Sequence, residues 1–176
     1  MNTRYKQIKE SAKGFTIIEV VLVLAIAGLI FLMVFIALPA LQRGQRDAQR
    51  REDLSRINTQ LQNFSSASRG SIPSSNNLGT FVKQYLGGSL NGCASTDYRD
   101  PSRTSGDTPS GGTGCDNYLL KVGDSSTTVG DAQIVYQPGS KCADDGTGGT
   151  VGGSSRNYSL RVSLENQTAP YCIDNR

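Results

Sequence analysis

The sequence predicts an α+β chain in which one long N-terminal helix lays its second half against a small antiparallel sheet. Three observations carry this. An uninterrupted apolar run extends from Val20 to Leu38, an apolar stripe at helical spacing follows from Leu54 to Phe64, and short β-branched or aromatic runs alternate with turn-rich stretches in the last third of the chain. Composition supports the division: only 36% of the 176 residues are hydrophobic, and 17 of the 20 Gly lie at or beyond Gly70.

The run VVLVLAIAGLIFLMVFIAL, residues 20 to 38, has the length needed to cross about 30 Å of hydrocarbon. It is longer than the apolar region of a secretory signal, and the Leu38-Pro39-Ala40-Leu41 that follows places Leu where a signal-type cleavage site wants a small residue. A short basic stretch ending in Lys13-Gly14 precedes it, and Phe15-Thr16-Ile17-Ile18-Glu19 opens it with a lone acid. A carboxylate in a membrane segment costs roughly 2.5–3.5 kcal/mol on insertion scales, so it marks a partner or a function. Were the chain cut after Gly14, the new amine on Phe15 would stand beside the apolar layer, and Glu19 of a neighbouring copy would neutralise it. Such a pair adds little net stability but penalises any register that leaves one member alone. The competing reading is a plain single-pass anchor with Glu19 at headgroup level.

Across residues 9 to 41 the chain resembles the bacterial type IV pilin and pseudopilin family, on Lys13-Gly14-Phe15-Thr16-Ile17-Ile18-Glu19 and the apolar run after them. The resemblance implies that 1–14 is a leader removed by a membrane-embedded prepilin peptidase. It implies N-methylation of Phe15, and it makes Glu19 and Phe15 the residues of assembly. It further implies a homo-oligomeric helical filament, an assembly platform protein and motor ATPases as partners, and membrane lipid as the surroundings before assembly. DNA or a host surface would be the filament's ligand. Gly28 and Pro39 look like the Gly and Pro between which pilin helices loosen in filaments. The expected location is the cytoplasmic membrane with the C-terminal part outside, then an extracellular pilus.

Residues 42 to 69 continue the helix. Leu54, Ile57, Leu61 and Phe64 make one stripe, and Arg46, Asp47, Arg50, Arg51, Glu52, Asp53 and Arg56 occupy the rest. The expectation is that this charge run is a solvated helix face, or a basic belt facing a neighbour's acidic head. The chain's net charge is +3. Four bases and one acid within the first 14 residues supply all of it, so the basic balance carries no inference about nucleic acid.

Residues 70 to 176 read as a head domain. Leu78, Phe81, Val82, Tyr85 and Leu86 predict a short amphipathic helix closed by Gly87-Gly88, and residues 100 to 114 predict a surface loop. Strands are predicted at 117–122, 133–137, 157–164 and around 171–173, giving three or four antiparallel strands. In the third of these, Tyr158, Leu160, Val162 and Leu164 alternate with Ser159, Arg161, Ser163 and Glu165, so one face is expected to be buried and the other wet. The stretch from Tyr158 to Asn175, with Leu164-Glu165-Asn166 and Tyr171-Cys172-Ile173-Asp174-Asn175, also looks like the end of some pilins.

Cys93, Cys115, Cys142 and Cys172 contain no CxxC pair, so two disulfides in an oxidising space are expected, which places the head outside the cytoplasm. Three pairings are possible; local loops favour Cys93 with Cys115 and Cys142 with Cys172. Asp144 and Asp145, in Asp-Asp-Gly-Thr-Gly-Gly, resemble a calcium loop in composition but lack the EF-hand ligand pattern, and an acidic turn without cofactor is the expectation. With no His and no clustered carboxylates in a recognisable motif, no catalytic constellation can be named, and the expected role is structural rather than enzymatic. The readings in play are a pilin, a pseudopilin of a secretion or competence system, and a membrane-anchored binding protein that never polymerises.

Overall fold

The computed structural model describes residues 14–103 and 117–176. The chain forms an N-terminal unit up to Ala40 and a C-terminal unit from Leu41 onward. Helix α1, Ile17–Ala67, contributes to both. Gly28 and Pro39 lie within its continuous helical span. Its first part is long and apolar enough to cross a membrane.

In the C-terminal unit, α1 presents Leu54, Ile57 and Leu61, all fully buried, because spacings of three and four place them on one stripe. Helix α2, Leu78–Tyr85, follows and adds Leu78, Phe81 and Val82 to the same core. Phe64 of α1 meets Phe81 and Tyr85 edge-on, at centroid distances of 5.8 and 5.5 Å.

Six strands follow: β1 Leu119–Val122, β2 Gln133–Pro138, β3 Ser140–Cys142, β4 Thr150–Gly152, β5 Tyr158–Val162 and β6 Tyr171–Asp174. Four form a sheet in the order β1-β2-β5-β6. Tyr118, Leu120, Ile134, Tyr136, Tyr158, Leu160 and Val162 face α1 and α2 as one core. Tyr136 donates its hydroxyl hydrogen to the carbonyl of Pro73 at 2.7 Å, and Tyr158 donates to Asn58 Oδ1 at 2.7 Å, so these two buried phenols are satisfied, whereas the buried hydroxyl of Tyr118 has no hydrogen-bond partner among the described residues.

The antiparallel expectation needs one correction. β2–β5 and β5–β6 are antiparallel, but β1 and β2 pair in parallel, with Leu119 opposite Gln133 and Val122 opposite Tyr136. The connection between them returns across the outer side of the sheet. There Arg161 of β5 donates to the carbonyl of Asp124, and Ser163 Oγ donates to that of Gly130. A second, two-stranded sheet, β3–β4, was not expected from the sequence. Its strands have three residues each and no apolar alternation, so they carry no periodic signal.

The Cys142–Cys172 disulfide expected from spacing is present, and it ties β3 to β6. The Cys93–Cys115 pairing lies outside the described residues at Cys115, as does the leader up to Lys13. Gly148 has φ +67°, and a Cβ there would sit 1.9 Å from the carbonyl oxygen of Pro170, so this turn requires glycine.

Candidate functional site

From Phe15 to Leu41, nineteen large apolar side chains are exposed. Each is worth roughly 1.5–3 kcal/mol when removed from water, so together they make tens of kcal/mol available to whatever covers them. From Ile17 to Leu38 the helix is about 33 Å long at ~1.5 Å per residue, the depth of a hydrocarbon layer. This is the largest unburied apolar surface among the described residues, and it is the candidate functional site.

Its start is built by a local device that the sequence also encodes. Thr16 precedes the first helical residue, and Glu19 stands three residues later, the Thr-x-x-Glu pattern of a capping box. Glu19 Oε2 accepts from the Thr16 backbone N–H at 2.9 Å and from Thr16 Oγ1 at 2.8 Å. The Glu19 N–H donates back to Thr16 Oγ1 at 3.3 Å. The lone acid is therefore held by its own chain, a role that the Thr-x-x-Glu spacing encodes beside that of a partner for an amine. Phe15 is 88% exposed, and Gly14 has open space around it. Phe15, Glu19, Val20, Val23 and Leu24 line one shallow groove on the helix side. Of the residues expected to act in processing and assembly, the structure thus places Phe15 and Glu19 side by side.

The charge run on the second part of α1 is only in part the solvated face expected for it: Arg51, Glu52 and Arg56 are exposed. Asp47, Arg50 and Asp53 are buried, at 5%, 5% and 4% exposure. Arg50 donates through Nε and Nη2 to the two carboxylate oxygens of Asp100, both at 3.0 Å, and lies 3.2 Å from Glu165. Arg46 donates through Nε and Nη2 to Glu165 at 2.8 and 2.6 Å. Asp47 accepts the backbone N–H of Glu165 at 2.7 Å and of Asn166 at 3.0 Å. Two planar forks and a carboxylate thus fasten the 100–102 loop and the turn after β5 onto α1. Asp100, predicted in a surface loop, is 1% exposed for this reason. Burial alone would raise its pKa, but the bonds from Arg50 and Ser102 hold it below the usual carboxylate value. Glu165 is also lowered, chiefly by the bond from Arg46. A basic belt for a neighbour is accordingly reduced. Arg46 and Arg50 are spent within their own chain, and Arg56 is paired with Asp53.

At the suggested calcium loop, Asp145 Oδ1 accepts the N–H and hydroxyl hydrogen of Thr147 at 3.0 and 2.7 Å, and Asp144 pairs with Arg176. Among the described residues no group of three or more Asp, Glu, Cys or His side chains converges as a metal site would require. Arg176 also donates to Asp174, whose carboxylate takes the Cys142 N–H at 2.8 Å, so these acids brace the disulfide.

No protein-family model matches the chain, and neither a curated protein nor a solved structure shows significant similarity to it.

Proposed function

We propose that this chain is a type IV pilin-like filament subunit. It is held in the membrane by the first part of α1, is cut after Gly14, and polymerises through that helix while its disulfide-braced head stays outside the cytoplasm. The observation that carries the reading is the exposed apolar length from Phe15 to Leu41, opened by Glu19 and joined to a folded head. Lipid covers such a surface in a precursor, and the helices of other copies cover it in a filament. Cleavage after Gly14 frees the amine of Phe15 next to the groove that Glu19 lines, where a neighbour's carboxylate can neutralise it. Processing by a prepilin peptidase, N-methylation of Phe15, and extension by motor ATPases through a platform protein belong to the same proposal, as does a surface role in adhesion, motility or DNA uptake. A pseudopilin of a secretion or competence system fits the same architecture.

The test is mass analysis of the N-terminus of protein recovered from sheared cell-surface material. A methylated Phe15 terminus is expected. Protein beginning at Met1 and confined to membranes would instead leave an anchored binding module.

A further inference from the structure

We propose that the groove formed by α1 and Asp97 in the C-terminal unit receives a lysine or arginine side chain from a second copy of this chain; this rests on the filament reading above.

The groove has a volume of about 450 Å³, and Gln45, Gln49, Glu52, Asp53, Arg56 and Asp97 line it. It lies on a side of α1 that the head leaves open, because Glu52 and Arg56 are exposed while the apolar stripe faces the core. Asp53 sits in its floor with a side chain only 5% exposed. One oxygen, Oδ1, accepts from Arg56 Nη1 at 3.2 Å; the other, Oδ2, is buried without a hydrogen-bond partner. A carboxylate in that condition is costly to ionise, and a cation seated in the groove above it would offset its charge.

Arg56 meets that need only in part. It already donates to the backbone carbonyl of Asp97 at 3.2 Å, and its guanidinium stands 4.7 Å from the centre of the Tyr98 ring. Glu52 and Asp97 form no ion pair among the described residues, so three carboxylates share one committed arginine. They do not converge as metal ligands, which leaves an ammonium or guanidinium as the fitting occupant.

The complementary charge is present on the same chain. Arg43, Arg69, Lys83, Lys121 and Arg156 are exposed and form no ion pair among the described residues. A groove on one face filled by a cation from another face is a heterologous contact, which extends from copy to copy as an open helix wherever the rotation between copies does not close a ring. That is the geometry a filament needs.

The experiment compares carboxyl labelling by carbodiimide and glycine ethyl ester in purified filaments and in detergent-dispersed subunits, read by mass spectrometry. Glu52 and Asp97 are expected to label at least tenfold less in filaments; equal labelling overturns the proposal. In parallel, Glu52→Arg and Asp97→Arg are expected to lower filament yield at least tenfold at unchanged melting temperature. Reversing one of the five exposed cations to Glu should restore it. Normal filaments from both variants, or rescue by none of the five, overturns the groove and leaves the filament reading standing. Wild-type chains that never polymerise overturn the filament reading itself, and the groove with it.

Discussion

Replacing Asp53 by Asn should stabilise the head at neutral and alkaline pH and lose that advantage in acid. Burial pushes the Asp53 carboxyl up from 3.8 to about 6, against the lowering effect of Arg56. At about 1.4 kcal/mol per pH unit, ionising it in the folded chain costs about 3 kcal/mol relative to the unfolded chain. Between pH 4 and 6 the folded state binds more protons than the unfolded state, so stability falls as pH rises through this window and stays lowered above it. Asn removes that penalty and keeps a neutral bond to Arg56, forfeiting about 1 kcal/mol of charge assistance. The net gain at pH 8 is about 2 kcal/mol, or roughly 6 °C in melting temperature for a head of this size. Circular-dichroism melts of both chains in detergent from pH 4 to 8 measure the difference. An Asn chain that melts below wild type at pH 8, or a difference that does not change with pH, would refute the reasoning.

Other expectations follow from the same contacts. Arg50→Met leaves Asp100 and Asp47 buried without their cation and should cost about 3–5 kcal/mol in chemical denaturation; a loss below 1 kcal/mol would show that the fork is idle. Replacing Cys142 and Cys172 together by Ser opens a loop with a sequence separation of 30 and should cost about 3–4 kcal/mol, with β3–β4 amides exchanging hydrogen sooner than those of β5. Gly148→Ala should destabilise by more than 1 kcal/mol, because the Cβ meets the Pro170 carbonyl and φ is positive; an unchanged melt would mean that the turn relaxes freely.

The parts of the fold legible in the sequence were those with a local period. The stripe Leu54, Ile57, Leu61, the α2 set from Leu78, and the apolar positions of β5 each repeat over a few residues and are buried as the repeat predicts, but Ser159 and Arg161 on the face of β5 expected to be wet are buried too, bonded to Ser140 and to the Asp124 carbonyl. What escaped depends on partners far along the chain. Arg50 meets Asp100 fifty residues away, and Arg46 meets Glu165 at a separation of 119, so a rule that sends charge to solvent misplaced these residues while holding for Arg51, Glu52 and Arg56. The parallel β1–β2 pair is equally non-local, since the direction of β2 depends on the path of the segment between them. At the candidate site the reverse holds. The apolar length and Glu19 are plain in the sequence, and the Thr16–Glu19 box is encoded in four consecutive residues.

The turn after β5 is attached to α1 through its backbone. Asp47 grips Glu165 and Asn166 by their peptide N–H groups and not by their side chains. Any residue except proline offers the same donor. The outer lettering at 166 is thus free to drift under selection from whatever the surface meets, while the anchoring point stays fixed. Variation there would be expected to spare Asp47 and exclude proline.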